Sequence, residues 1–233
     1  MFGKHEVDGR QYTHAKPCVC RRRKAVEYLM ETIDQRFKRF APPRLADLSP
    51  RYDCFRDDPA GSKWVGDAQA EAIALMCANP FSSFVFGGDN DTGKTHMAYS
   101  LLVNACETGR TCVHIKLRDL LDEWGKEARG EAGKDGKAFR STVRASDLAR
   151  GQWSILLDEF DKTGVTEFRS AELYNFLDEI WRKGHQLIVT VNLRKDRVIE
   201  KWSRIDETYG ASIAKRLYSE ARGVGLFVDE IKK

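Results

Sequence analysis

The chain has 233 residues, of which 42% are hydrophobic and 32% charged, a composition typical of a globular protein with one main domain and a small appendage. No apolar run approaches the roughly 20 residues of a membrane-spanning helix, and the N-terminus lacks the apolar core of a signal peptide, so we expect a cytoplasmic protein without membrane contact. The net charge of +4 alone excludes little, but six cysteines, most of them far apart, argue against a disulfide framework.

The first 40 residues are predicted to form an extension that binds a partner. Residues 1–20 look irregular, whereas from Lys24 to Phe40 apolar residues recur at helical spacing beside a basic opposite face. The basic clusters Arg21–Lys24 and Arg36–Arg39 fit either a solvated helix face or a contact with a partner or a nucleic acid. The helix is equally compatible with packing on the chain's own core.

Two histidines and two cysteines of this extension raise the question of a zinc site. His5, His14, Cys18 and Cys20 would supply the four nitrogen and sulfur ligands of a tetrahedral centre. A single residue between the cysteines is not the usual spacing of a zinc finger, which favours free thiols.

After residue 66 the chain alternates between helical and apolar strand patterns. Strands that are nearly all apolar, each followed by a helix, predict a parallel sheet covered on both faces. The predicted elements are a helix over 67–78, a strand over 83–87, a helix over 93–108 closed by Gly109, a strand over 111–116, helices over 117–128 and 137–151, a strand over 153–160, a helix over 167–183 with Gly184 past its end, a strand over 186–192, two helical stretches, and a strand over 225–229.

The stretch FVFGGDNDTGKTHM has the spacing G-x-x-x-x-G-K-T of a phosphate-binding loop between a strand and a helix. Glycines let backbone N–H groups converge on phosphates, and the helix N-terminus adds partial positive charge. Lys94 would contact the outer phosphates of ATP, and the Thr95 hydroxyl would bind Mg²⁺. A glycine-rich turn without a ligand is the alternative. The predicted nucleotide-binding residues are Gly88, Asp89, Asn90, Asp91, Thr92, Gly93, Lys94, Thr95 and His96.

A second apolar strand, SILLDEF, ends in two acids and matches the Walker B pattern. Asp158 would hold Mg²⁺, directly or through water, and Glu159 would polarise the water that attacks the γ-phosphate. A strand that merely ends in solvated acids is the alternative. The second acid favours ATP hydrolysis, because a site that only binds nucleotide does not need it.

A third polar group closes the strand LIVTVN, where Asn192 follows Thr190 by two residues on the same side. The carboxyl ends of parallel strands meet at one edge of a sheet, so the Asn192 amide is expected beside the phosphate loop. There it could hydrogen-bond both the attacking water and the γ-phosphate. Taken alone, an asparagine after a strand is more often a turn residue.

Taken together, these residues resemble an AAA+ ATPase of the DnaC/IstB family, the bacterial and phage helicase loaders and transposition helper ATPases. The resemblance covers about residues 41–229 and is carried by APPRLADL, FGGDNDTGKTHMA, SILLDEF, LIVTVNL and YGASIAKRL. It implies a P-loop NTPase (AAA+) fold, an α/β three-layer sandwich with a central parallel sheet, after a short helical N-terminal extension. We therefore divide the chain into the extension, residues 1–40, and an ATPase domain, residues 41–233.

The resemblance also implies roles for single residues. Asn192 takes the place of the family's sensor 1, and Arg216 fits best the arginine finger, which would stabilise γ-phosphate charge in a neighbouring subunit's site. Lys215 and Arg222 are weaker choices for the finger, and a surface arginine on a helix is the alternative for Arg216. The implied enzyme is an ATPase that acts as an ATP-dependent homo-oligomer, is weak in isolation and uses ATP and Mg²⁺. Its catalytic residues would be Glu159, Lys94, Asn192 and Arg216.

One departure from the family concerns the phosphate loop, which is usually G-x-x-G-x-G-K-T/S. Here Asp91 replaces the middle glycine, and aspartate tolerates a positive φ better than most residues do. The charges of Asp89 and Asp91 repel a triphosphate unless Mg²⁺ or outward rotamers separate them. We expect nucleotide binding to be retained, with reduced affinity.

The function implied by the resemblance is that of a loader, which delivers a replicative DNA helicase to single-stranded DNA and releases it on ATP hydrolysis. Alternatives are an IstB-like transposition helper that forms filaments on DNA, a nucleotide-gated adaptor with negligible hydrolysis and, least supported, a small P-loop kinase. Cations between the second strand of the sheet and Walker B could form a groove for the DNA phosphates. They are Arg118, Lys126, Arg129, Lys137, Arg140 and Arg144.

Overall fold

The computed structural model describes twelve parts of the chain: residues 2–7, 10–15, 24, 45, 67–88, 92–131, 143–149, 151–162, 167–192, 212–213, 217 and 222–226. Some of these are described by their backbone alone: residues 2–7, 10–15, 67–70, 167–168 and 222–226. The predicted zinc ligands and all but the first residue of the predicted basic helix therefore lie outside the described side chains.

The first two strands form an antiparallel hairpin. β1 (Phe2–Val7) pairs with β2 (Arg10–Ala15), and Val7 lies opposite Arg10. Asp8 and Gly9 lie between the strands in the sequence, and an Asp-Gly pair favours a two-residue hairpin turn. The expected irregular start is therefore wrong for these residues, because hairpin pairing here depends on turn chemistry rather than on apolar periodicity.

A five-stranded parallel sheet follows. Its strands are β3 (Phe84–Gly88), β4 (Thr111–Lys116), β5 (Trp153–Asp158), β6 (Gln186–Asn192) and β7 (Arg222–Leu226). Their order across the sheet is β4-β5-β6-β3-β7, and each neighbouring pair is parallel. Because β6 lies between β3 and β5, the strand before the predicted phosphate loop and the Walker B strand are both direct neighbours of the strand that ends in Asn192.

Four α-helices accompany the sheet among the described residues: α1 (Asp67–Ala78), α2 (Lys94–Glu107), α3 (Leu117–Ala128) and α4 (Glu167–Arg182). Two short 3₁₀ helices, Ala145–Ala149 and Phe160–Lys162, flank β5. Gly109 follows α2 with a φ of 96°, a left-handed conformation that glycine adopts at little cost, as predicted for the end of this helix.

The two faces of the sheet carry separate hydrophobic cores. On one face Phe86 and Ile188 belong to a cluster with side chains of α1 and α2. On the other face Val85 and Leu157 belong to a cluster with side chains of α3 and α4. Successive side chains of a strand point to opposite faces, so strands that are apolar throughout can be buried on both sides. The predicted three-layer α/β fold with a central parallel sheet is confirmed.

Three further predicted elements need correction. The strand expected over 153–160 ends at Asp158, and Phe160 belongs to the 3₁₀ helix Phe160–Lys162. The helix expected over 137–151 is wrong for residues 143–149, where only the 3₁₀ turn Ala145–Ala149 forms. The Asp147 carboxylate accepts a hydrogen bond from the backbone N–H of Arg144 at 2.9 Å, so this N–H does not donate to a helical carbonyl four residues earlier and a helix cannot continue through Arg144. The last strand, expected over 225–229, already includes Arg222, because Arg222–Leu226 pair with β3; residues 227–229 lie outside the described residues.

Among the described residues, no helix combines the length and the apolar composition that crossing a bilayer requires.

Candidate nucleotide-binding site

The carboxyl ends of the parallel strands bring the predicted motifs together. Gly88, the last residue of β3, pairs in register with Asn192, the last residue of β6. Lys116, the last residue of β4, pairs with Asp158, the last residue of β5. The loops that follow these strands open at one edge of the sheet, which is where open α/β sheets bind their ligands.

The helix that follows the predicted phosphate loop begins without a side-chain cap. Gly93 precedes α2 in the left-handed conformation, with φ 87° and ψ 5°. Lys94 is buried, and its Nζ donates a hydrogen bond to the carbonyl oxygen of Gly88 at 3.1 Å. Two further predicted contact residues, Thr92 and His96, are buried and half-buried. Three loop residues lie outside the described ones: Asp89, Asn90 and Asp91.

These features favour the binding of an anion at the start of α2. The first N–H groups of a helix have no partner within the helix, and the helix dipole adds partial positive charge there. The ammonium group of Lys94 lies beside the same turn. Backbone N–H groups and a lysine at a helix N-terminus are the usual elements of a phosphate site.

Asp158 lies at the centre of the hydrogen bonds at this edge. Its Oδ1 accepts hydrogen bonds from the hydroxyl of Thr95, at 3.2 Å, and from the hydroxyl of Thr190. Its Oδ2 lies 3.6 Å from Nε2 of His114. Burial raises the pKa of Asp158, but the interactions with His114, Thr190 and Thr95 outweigh burial and hold the pKa below its ordinary value. The group is therefore held as a carboxylate.

The oxygens of Thr95 and Asp158 suit a magnesium ion. Two cis ligands of an octahedral Mg²⁺ at their usual bond lengths are about 3 Å apart. Thr95 Oγ1 and Asp158 Oδ1 are separated by 3.2 Å. Mg²⁺ in phosphate sites takes one or two protein ligands and completes its shell with water and phosphate oxygens. The part of the chain described here contains no cluster of three or more His, Cys, Asp or Glu that could hold a metal alone.

Glu159 has an unusual backbone and a paired carboxylate. Its φ is 56°, uncommon for a residue other than glycine, and its N–H donates to the Thr190 hydroxyl at 3.0 Å. Thr190 therefore contacts both acids. The Glu159 carboxylate lies 2.6 Å from Nζ of Lys162 and 3.8 Å from Nζ of Lys116. All three side chains are about one third exposed or more, so water can compete for these ion pairs.

Asn192 connects the end of β6 with the turn after β5 through a hydrogen bond from its backbone. Its backbone N–H donates to the Asp161 carboxylate at 2.9 Å, and the residue is half-buried. The structure thus places Asn192 beside the end of β3, on the strand that neighbours the Walker B strand β5. Its function as a sensor of the γ-phosphate stays a prediction.

Several side chains that contact the acids, or hold a side chain that does, are not marked by any sequence motif. They are Tyr99, His114, Lys116 and Lys162. Only Lys162 has a local signal, since it follows Glu159 by three residues within one turn. The others reach the site through the pairing of β4 with β5 and the packing of α2.

The residues predicted to act between subunits or on DNA are less fully described. Arg216, Lys215, Lys137 and Arg140 lie outside the described residues, and Arg222 is described by its backbone alone. The four described cations of the predicted DNA surface each lie beside an acid. Their ion pairs are exposed or partly exposed, and such pairs contribute little to folding stability. The pairs are Arg118–Asp119 at 3.6 Å, Lys126–Glu123 at 2.9 Å, Arg129–Glu131 at 3.0 Å, and Arg144–Glu127.

Replacing Thr190 with valine is expected to destabilise the fold by about 1–3 kcal/mol, because valine leaves the buried Asp158 oxygen and the Glu159 N–H without the hydroxyl. Urea unfolding of the variant and the wild type measures the loss. Thr111→Val, at the exposed start of β4, is a matched control that should change stability by less than about 0.5 kcal/mol. Equal stability of Thr190→Val and the wild type would show that this hydroxyl does not hold the two acids.

Comparison by sequence finds no matching family model and no matching curated protein. Comparison by structure does find matches. A DnaC helicase loader matches with a TM-score of 0.54 at 15% identity, over 76% of this chain and 98% of that chain. DnaI matches with a TM-score of 0.55 at 11% identity, over 75% of this chain and 93% of that chain. A replication initiator DnaA bound to AMPPCP and single-stranded DNA matches with a TM-score of 0.54 at 14% identity, over 74% of this chain and 52% of that chain.

The parallel sheet, its strand order and these matches show that the fold is AAA+-like. Within that class the fold is of the DnaC and DnaA type. The expected AAA+ fold is thereby confirmed.

Proposed function

We propose that the chain is an ATP-dependent helicase loader, which binds single-stranded DNA and a replicative DNA helicase and hydrolyses ATP to release the helicase. The observation that carries the proposal is the match to a DnaC helicase loader over 98% of that chain's length. A DnaA of the same fold type binds an ATP analogue and single-stranded DNA, which supports both as ligands here.

The geometry at the sheet edge supports ATP hydrolysis. In the proposed site Lys94 and the N-terminus of α2 bind the phosphates, while Thr95 and Asp158 hold Mg²⁺. Magnesium, when bound, would neutralise charge on the transferred phosphoryl group. Glu159 accepts a proton from water, whose oxygen bonds to the γ-phosphorus as the bond to the ADP oxygen breaks. Asn192 orients that water.

Two features of the proposed mechanism predict slow hydrolysis by the isolated chain. The Glu159 carboxylate is paired with Lys162 and lies near Lys116, so these ammonium groups compete with the attacking water for its oxygens. We also propose that Arg216 contacts the γ-phosphate of a neighbouring subunit, which makes hydrolysis depend on assembly. The active species is therefore an ATP-dependent homo-oligomer.

A nucleotide-gated adaptor with negligible hydrolysis is the second candidate. The ion pairs of Glu159 favour it, because the Lys162 and Lys116 ammonium groups compete with a water for the carboxylate oxygens. ATP would then order contacts between proteins without being consumed. An IstB-like transposition helper would use the same nucleotide site but would assemble along DNA.

Affinity purification from the host tests the proposal. The tagged protein is isolated with and without AMPPCP, and a Lys94→Ala variant serves as the control for nucleotide dependence. A loader is expected to bring down a hexameric replicative helicase at defined stoichiometry, with recovery changed by the analogue in the wild type only. A transposition helper would instead pellet with DNA as long assemblies in ATP. Absence of the helicase under both conditions would contradict the loader function.

A further inference from the structure

Two aromatic side chains link the helix after the phosphate loop to Asp158. Tyr99 lies one turn after Thr95 in α2 and is buried, with its hydroxyl 2.5 Å from Nδ1 of His114 in β4. The two rings meet edge to face, with centroids 5.0 Å apart. On the far side of the imidazole, Nε2 lies 3.6 Å from Oδ2 of Asp158.

These contacts indicate which imidazole nitrogen of His114 carries a proton. A carboxylate only accepts hydrogen bonds, so the Asp158 oxygen favours an N–H at Nε2. The Tyr99 hydroxyl can then donate to the unprotonated Nδ1. Nε2 is buried and has no acceptor within ordinary hydrogen-bond distance among the described residues. The carboxylate at 3.6 Å is therefore the group that this N–H faces.

We propose that His114 is a positioning residue for the magnesium ion of the nucleotide site, with its ring held by Tyr99. The inference rests on the proposed ATP site. The His114 N–H faces Oδ2 of Asp158, and this leaves Oδ1 turned toward Thr95, the second proposed magnesium ligand.

The strand order explains why a residue on β4 can act on a carboxylate of β5. Lys116 pairs with Asp158 in register, and His114 precedes Lys116 by two residues, so its side chain lies on the same face of the sheet. Some groups contact a metal ligand without binding the metal themselves. Their loss typically lowers metal affinity by about 10–100-fold. His114 has this relation to Asp158, and Tyr99 holds the His114 ring.

Three substitutions separate positioning from packing. His114→Phe keeps an aromatic ring but removes the N–H, His114→Gln restores a side-chain N–H donor, and Tyr99→Phe removes only the hydroxyl. Binding of Mn²⁺ in the presence of ADP is measured by electron paramagnetic resonance for each variant and the wild type. Binding of ADP in EDTA is measured by calorimetry on the same proteins.

The expected result is a metal-specific effect. His114→Phe should raise the Kd for Mn²⁺ about tenfold and Tyr99→Phe about threefold, while His114→Gln stays within about twofold of the wild type. The affinity for ADP in EDTA should be the same in all four proteins. If His114→Phe does not fold, the Kd values for Mn²⁺ of Tyr99→Phe and His114→Gln are compared instead, and a higher Kd in Tyr99→Phe alone supports the positioning role.

Two results would overturn the positioning role alone: wild-type Mn²⁺ affinity in His114→Phe, or a matching loss of ADP affinity in EDTA. Failure of His114→Gln to restore Mn²⁺ binding would likewise assign the histidine to packing. A wild-type protein that binds neither ADP nor Mn²⁺ would overturn the proposed ATP site, and the role of His114 with it. The two failures are thus distinguishable.

Discussion

Replacing Lys94 with alanine is expected to raise the Kd for ATP at least about 100-fold, which corresponds to about 2.7 kcal/mol. The buried ammonium group lies beside the loop carbonyl of Gly88 at 3.1 Å, where it would donate charge-assisted hydrogen bonds to phosphate oxygens. Alanine removes the charge and leaves the phosphates facing an apolar side chain. Titration with a fluorescent ATP analogue in the presence of Mg²⁺ measures the change.

The matched control for this substitution is Lys183→Ala, which removes an exposed lysine just after α4. It should leave the Kd for ATP within about twofold of the wild type, since an exposed charge far from the ligand is screened by salt. Circular dichroism on Lys94→Ala checks that the variant is folded. A folded Lys94→Ala protein with wild-type affinity would exclude this loop as the phosphate site.

Replacing Glu159 with glutamine is expected to retain ATP binding within about twofold and to lower the turnover rate about 10²–10⁴-fold, the range that general bases contribute. Glutamine has nearly the same shape as glutamate, but its amide cannot accept the proton of the attacking water. Phosphate release at saturating ATP, measured at protein concentrations that allow assembly, gives the rate.

Glu71→Gln, an exposed position in α1, is the control for loss of one acidic charge and should not change the rate. Wild-type turnover in Glu159→Gln would show that another group activates the water. A wild type that turns over no faster than Glu159→Gln, while still binding ATP, would favour the nucleotide-gated adaptor over the loader. The same pair of proteins thus separates the two proposed functions.

Elements that repeat one local pattern could be predicted from the sequence to the residue. The strands TCVHIK and QLIVTVN and the helix LRDLLDEWGKEA have the predicted bounds. The strand QLIVTVN contains a continuous apolar run, as buried parallel strands do, and an amphipathic helix shows its 3.6-residue period within three turns. Neither pattern depends on where the element lies in the fold.

Elements decided by single hydrogen bonds or by distant pairing could not be predicted in this way. The 3₁₀ turn Ala145–Ala149 begins after Arg144, whose N–H bonds the Asp147 carboxylate in place of a helical carbonyl. The last strand, Arg222–Leu226, is defined by its pairing with β3 more than 130 residues earlier in the chain. Periodicity within a window contains neither kind of information.

The residues of the candidate site likewise divide into those that local sequence motifs predict and those that only the fold brings together. Lys94, Thr95 and Asp158 belong to motifs, and the structure brings their side chains to one edge of the sheet. His114 and Tyr99 belong to none, because His114 reaches Asp158 only through the placement of β4 beside β5, and Tyr99 reaches His114 only through the packing of α2 on β4. Motifs identify groups that contact a ligand, whereas the residues that hold those groups depend on the topology.

The most direct test of the account is calorimetric titration of the wild-type protein with ATP, with Mg²⁺ and in EDTA. A magnesium-nucleotide site at the ends of β3 and β5 predicts saturable binding that is tighter with Mg²⁺, because Thr95 and Asp158 contribute only when the cation is present. Absence of binding heat at millimolar ATP under both conditions would contradict the account.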